Sequence, residues 1–311
     1  MSRAGITILL MNENQPTPFE HVDTPDELQY WQFVAGDYSR HLTLYSARPP
    51  FIGSSGIHPD ANFEELRKWL NDEAKYRKEI ANSPVHELRS CELSFKKIID
   101  YYLERNKAAE RPTIAMDVGA MAATSWIRLG CAFREQIERG QLLLIATNRT
   151  YSPYDQGLDI PKMPDELKEF VRENQDLVHF LVADADSFPS LAVTLLAGES
   201  LRVMGNIDFA HESESLSKYS PDPERDIRIL GRMISKNGIY LSHGGFPYSD
   251  HLPEDVWLDN PRFVAVRNAH RKLVSDLEFT LVTEVEEGVK RGADLIYAVF
   301  KKPCAPPIAF D

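Results

Sequence analysis

A chain of 311 residues with 43% hydrophobic and 26% charged side chains is composed like an ordinary folded protein, long enough for one large domain or two smaller ones. Its formal charge of −12 argues against a nucleic-acid partner, because affinity for the phosphate backbone comes from Lys and Arg. No apolar run reaches the roughly 18 residues of a membrane span.

The apolar start, Ile6 to Met11, is too short for a secretory leader, and Asn12-Glu13-Asn14 offers no small-residue cleavage site. Cys91, Cys131 and Cys304 are odd in number and far apart, which rules out a disulfide framework. The expectation is a cytoplasmic protein.

The first 60 residues are rich in Pro and aromatic residues, and Tyr30, Trp31, Phe33, Tyr38, Leu42, Leu44 and Tyr45 either cover a pocket or, on the plainer reading, pack on the main domain. Gly53-Ser-Ser-Gly56 has no following helix with a Lys and is not a P-loop. Phe63, Leu66, Trp69 and Leu70 recur at helical spacing, continued by Tyr76 and Ile80. Leu88, Cys91, Phe95, Ile98, Ile99 and Tyr102 mark a second helix, which ends in the polar run Glu104 to Arg111. Residues 1–105 are therefore read as an N-terminal helical cap and 106–311 as an α/β domain.

From Thr113 onward strands and helices alternate. Thr113 to Val118 is an apolar strand running into Asp117 and Gly119, and a helix opens near Thr124 with Trp126, Leu129, Gly130, Phe133 and Ile137 on its inner face. A turn of this kind seats a nucleotide-type ligand in α/β sheets. Leu142 to Ala146 is a second strand, Pro164 to Asn174 a helix, Val178 to Ala183 a third strand and Leu201 to Met204 a fourth. Asp222-Pro223 starts a helix lined by Ile227, Leu230, Met233 and Ile234 and stopped at Asn237-Gly238. Ile239 to Ser242 is a fifth strand, and Phe279 to Val285 with Leu295 to Lys301 form an antiparallel hairpin. The fold class is α/β: a Rossmann-like, seven-stranded, mostly parallel sheet closed by a C-terminal antiparallel hairpin.

Ligands of such sheets bind at the carboxyl ends of the strands. His211 and His243 stand after the fourth and fifth strands and are the candidate bases, with Asp208 similarly placed. His243, Asp250 and His251 fall within nine residues, and with His211 and Asp208 they could hold a metal. Their spacing matches no standard metal pattern, and the reading is no metal. Tyr151 to Asp159 is either a lid or a plain surface loop, and Cys131 is read as a buried helical residue rather than a nucleophile.

The order of elements, with Ile114-Ala-Met-Asp-Val-Gly119, Val182-Ala-Asp-Ala-Asp-Ser-Phe-Pro189, Ile207-Asp-Phe-Ala-His211 and the run Asp222 to Gly238, resembles the class I S-adenosylmethionine (SAM) dependent methyltransferases. The resemblance is to small-molecule members of the quinone-methyltransferase type, and it covers roughly residues 90 to 303. It implies SAM as cofactor, with Asp117 and Gly119 lining its methionine end, Asp184 accepting from the adenine amino group, and Met121, Asn148 and Ala185 completing the pocket. The chain departs from the family's pattern at two places. Met121 stands where a second glycine lets the backbone approach the cofactor. Thr147 or Asn148 stands where a carboxylate holds both ribose hydroxyls, and a neutral acceptor makes the weaker bond.

The implied function is a divergent SAM-dependent methyltransferase of small-molecule biosynthesis, methylating O, N or C, with His211 and His243 on the acceptor side. Two alternatives stay open. One is a non-catalytic binding or scaffolding protein of the same fold; the other uses the pocket for a different ligand or reaction. A homodimer is compatible with either.

Overall fold

The computed structural model describes residues 52–53, 56–57, 84–107, 109–120, 123–148, 164–195, 198, 200–213, 215–245, 261–287 and 295–301. The helix expected over Phe63 to Ile80 and the aromatic segment before residue 46 lie outside the described residues, as do Met121, Tyr151 to Asp159, Asp250 and His251. Ile52–Gly53 (β1) and Gly56–Ile57 (β2) pair antiparallel.

The main sheet uses Thr113–Val118 (β3), Leu142–Asn148 (β4), His179–Val182 (β5), Ile207–Ser213 (β8), Ile234–Gly245 (β9), Thr280–Glu287 (β10) and Leu295–Lys301 (β11). A separate small hairpin joins Ala192–Thr194 (β6) to Ser200–Arg202 (β7). The order across the main sheet is β10-β11-β9-β8-β3-β4-β5. Five strands run parallel, from β5 through β9, and β11 and β10 add an antiparallel edge. β3 and β4 are buried along their whole length, which explains why both read as unbroken apolar runs.

Two layers cover the sheet. On one face lie Ser90–Lys107 (α1), Thr124–Ala132 (α2) and Asp165–Asn174 (α4), which bury Phe95, Ile99, Trp126, Leu129 and Val171 against Ala115, Leu144 and Phe209. A short helix, Arg134–Glu138 (α3), follows a break at Phe133. On the other face Leu216–Tyr219 (α5), Pro223–Met233 (α6) and Pro261–Asp276 (α7) meet the strands through Leu216, Ile227, Leu230, Val266 and Leu273. α6 begins as expected: Asp222 accepts a hydrogen bond from the Arg225 amide at 3.0 Å, with proline at the first helical position.

Two expectations are corrected. The segment Leu201 to Met204 is not a strand of the main sheet; its first residues belong to the small β6–β7 hairpin, and the fourth parallel strand is Ile207–Ser213. The helix before β9 ends at Met233, not at Asn237-Gly238, which lie inside β9; Asn237 takes φ 66° where the β8–β9 pairing is irregular. α1 runs unbroken through residue 105 to Lys107.

Charged groups buried under the two layers are tied down. Arg128 of α2 donates to Glu92 of α1 at 2.7 Å and to the Val85 carbonyl at 2.7 Å, while Glu92 also accepts from the Arg89 amide at 2.8 Å. That last bond serves a helix-start donor that otherwise has no partner. Glu212 of β8, fully buried, accepts from the amides of Ser215 and Ser217, from Ser217 Oγ at 2.9 Å and from Ser242 Oγ at 3.0 Å.

His270 of α7 extends this network. Ser242 gives its proton to Glu212, so it is Nε2–H of His270 that donates to Ser242 Oγ at 3.1 Å. Burial pushes the His270 imidazole down from 6.5 to about 4. The unfolded chain therefore takes up a proton that the folded chain refuses between those two values. Above pH 6.5 the stability from a neutral His270 is fully present, and it drains away as pH falls toward 4, by about 3 kcal/mol. Urea titrations from pH 7 to 4 on wild type and His270→Gln test this. The variant should show a distinctly shallower loss, and parallel curves would contradict it.

Candidate functional site

The strand order reverses at β3: β4 and β5 lie to one side, β8 and β9 to the other. At such a switch point the loops leave in opposite directions and open a crevice above the carboxyl ends of the strands. β3 and β8 are adjacent and parallel, with Asp117 in register with His211. Their side chains meet, His211 Nδ1 to Asp117 Oδ1, at 2.8 Å, and each residue is 8% exposed. Asp117 and His211 follow the alternation of Ala115 and Phe209 to the α1–α2 face. There Phe95 lies 4.7 Å from the His211 ring, and Trp126 stacks at 6.1 Å with 22° between planes. Trp126 Nε1–H is buried and meets no acceptor among the described residues.

The turn after β3 is held from two directions. The Gly119 and Ala120 amides both donate to the Thr147 carbonyl, at 2.8 and 3.0 Å. Gly119 has φ 75°, a region that disfavours side chains, and its open side is covered by Ser215. Ser215 Oγ donates to the Val118 carbonyl at 2.7 Å, so the loop leaving β8 rests on this turn. Ala123, just before α2, also sits in the left-handed region, at φ 52°.

Asn148 closes β4 and is 7% exposed, beside buried Thr147. Asp184, after β5, is exposed, and its Oδ1 accepts from the Ser187 amide at 3.1 Å and hydroxyl at 2.8 Å. Ala185 packs into the apolar cluster under α6. His243 lies at the carboxyl end of β9, one strand from His211 and two residues further along.

Asp208 is not part of this group. It sits at the start of β8, at the opposite end of the strand from the crevice, where it pairs with Arg111. It also accepts from Asn106 Nδ2 at 3.0 Å, the Ile114 amide at 3.0 Å and Ser235 Oγ at 3.2 Å. Burial pushes its carboxyl up, against the pull of Arg111 and these donors. It is a structural anchor and not a candidate base. Among the described residues no group of three or more His, Cys, Asp or Glu could share a metal ion, and no helix is long and apolar enough to cross a membrane.

Sequence reasoning treated Asp117 and His211 separately and did not see Phe95 and Trp126 as walls around them. The signal available was the parallel pairing of the first and fourth strands, which brings their last residues side by side.

No family model matches the chain, and no curated protein matches it. Among solved structures it is similar to the 1,6-didemethyltoxoflavin-N1-methyltransferase of Burkholderia thailandensis, at 14% identity over 78% of this chain and 91% of that one, with a TM-score of 0.34. It is also similar to the [4+2]-cyclase SpnF, at 14% identity over 72% and 86%, TM-score 0.38. A third is the arsenic(III) S-adenosylmethionine methyltransferase of Chlamydomonas reinhardtii, at 10% identity over 63% and 65%, TM-score 0.38.

Proposed function

We propose that this chain is a SAM-dependent methyltransferase acting on a small molecule bound above the carboxyl ends of β3, β4 and β8. The observation that carries the reading is the buried Asp117–His211 pair at the point where the strand order reverses. The residues at the three neighbouring strand ends suit the groups that SAM presents. Asn148 at the end of β4 can accept from a ribose hydroxyl and donate to the other. Asp184 after β5 is exposed and offers a carboxylate to an amino group of the base. No group among the described residues donates to Asp117 Oδ2, which is available to the ammonium of the amino-acid end.

When bound, SAM supplies an electrophilic methyl group. The chain's own part is to hold the acceptor in line with it and to manage a proton. His211 faces the acceptor side, with His243 one strand away; the acceptor atom, whether O, N or C, is set by the loops that follow.

A second reading, a binding or scaffolding protein of this fold, is favoured by one observation. The turn's amides are both used by Thr147, and the face of Gly119 is filled by Ser215. Thermal melting with S-adenosylhomocysteine separates the two. Ligand at 100 times its dissociation constant stabilises the fold by about 2.7 kcal/mol. Absence of any shift at millimolar ligand removes the methyltransferase reading.

A further inference from the structure

We infer that Glu212 is a positioning residue for the crevice. Acting through Ser215 it holds the loop after β8 on the glycine turn after β3, and through Ser242 it ties both to α7. The inference goes beyond the methyltransferase reading and rests on it only for the identity of the ligand.

Three observations carry it. First, sheet register places Val118, Glu212 and Ser242 in one row across β3, β8 and β9, near the carboxyl ends of the strands. Glu212 follows His211 in its strand, so its side chain turns to the opposite face, toward α5 and α7. Second, Glu212 is fully buried, and its partners among the described residues are neutral. They are the Ser215 amide at 2.9 Å, the Ser217 amide at 3.1 Å, Ser217 Oγ at 2.9 Å and Ser242 Oγ at 3.0 Å. A buried carboxylate without a counter-charge is costly, and an apolar side chain would fill the same space with less penalty. No apolar side chain could accept from two loop amides at once. Third, the loop so held reaches the turn. Ser215 Oγ donates to the Val118 carbonyl at 2.7 Å, and Ser215 covers the open side of Gly119.

The same row fixes where each proton lies. Amides only donate, so Glu212 Oε1 accepts from the loop, while Ser242 donates to Oε2 and accepts Nε2–H of His270. Whatever moves the loop is therefore felt at α7, and the coupling runs equally in the other direction.

Hydrogen exchange and nitrogen-15 NMR on the full-length protein test the inference, with His270 assigned by loss of its signals in His270→Gln. In the wild type the Ser215 and Ser217 amides should be protected, and His270 should carry its proton on Nε2. Glu212→Gln keeps an oxygen for the loop but presents an NH2 group to Ser242. The Ser242 proton must then turn to His270, whose own proton should move to Nδ1. With a neutral acceptor the Ser215 and Ser217 amides should exchange roughly tenfold faster, while those of β4 stay unchanged. A merely structural carboxylate would speed all amides of the sheet together and leave the tautomer alone. Unprotected Ser215 and Ser217 amides, or an Nδ1–H His270, in the wild type overturn the inference, and neither result needs the variant to fold. S-adenosylhomocysteine should slow the same two amides and bind roughly tenfold more weakly to Glu212→Gln. Equal affinity for both proteins overturns the positioning role. A ligand that alters no amide of the wild type rejects the methyl donor instead, and the contact then stands or falls on the ligand-free results.

Discussion

Replacing Arg128 with Ala should destabilise the fold by about 3–5 kcal/mol, the range for removing one partner of a buried ion pair. Arg128 is 2% exposed and Glu92 not at all. Without the guanidinium, Glu92 keeps only the Arg89 amide, and the Val85 carbonyl loses its donor as well. The damage falls on the junction of α1 and α2, the two helices that supply Phe95 and Trp126 to the site. The penalty comes from stranding the carboxylate rather than from any large net worth of the pair. An Arg128→Met, Glu92→Leu double variant should therefore recover most of the loss. Urea midpoints of the three proteins decide it, and a double variant no better than Arg128→Ala would show that the pair itself stabilises the fold.

Gly119→Ala should cost about 2–5 kcal/mol and abolish any melting shift with S-adenosylhomocysteine. Two effects add. A side chain at φ 75° carries about 1–2 kcal/mol of backbone strain. The new methyl group would also lie well inside the contact distance of Ser215 Cβ and 2.9 Å from its Oγ. Ser215 cannot step aside cheaply, because its amide is held by Glu212 at 2.9 Å and its hydroxyl by the Val118 carbonyl. Overpacking of this kind costs about 1–3 kcal/mol. Ser215→Gly in the same chain should return the overpacking part and leave the strain. A double-mutant cycle measures the difference. Strict additivity of the two substitutions would mean that they do not touch.

What could be read from the residues was set by how well local pattern matched burial. β3 and β4 were legible because both of their faces are covered, so Thr113–Val118 and Leu142–Asn148 carry few polar residues. The start of α6 was legible because Asp222 and Pro223 act locally. β8 was not. Asp208, His211 and Glu212 make it look like a loop, and each is buried only because of groups distant in sequence: Arg111 and Asn106, Asp117, and Ser242. Leu201 to Met204, more apolar, drew the strand assignment instead. Asn237-Gly238 resembled a helix stop, yet both lie within β9, and Asn237 takes the left-handed φ there. In the site, each of Asp117 and His211 could be named as a candidate, but their contact is a product of sheet register, which no local pattern encodes. Arg128 and Glu92 went unnoticed because each interrupts an otherwise apolar stripe, and only the packing of α1 on α2 joins them.

The stacking of Trp126 on His211 has an optical consequence. A protonated imidazole quenches indole emission at such short range, so this tryptophan reports the charge of the histidine beside it. The chain has four tryptophans, and the difference in emission between wild type and Trp126→Phe isolates the one that matters. Following that difference against acidity, or while candidate acceptors are added, turns the indole into an internal gauge of proton uptake that requires no knowledge of the product.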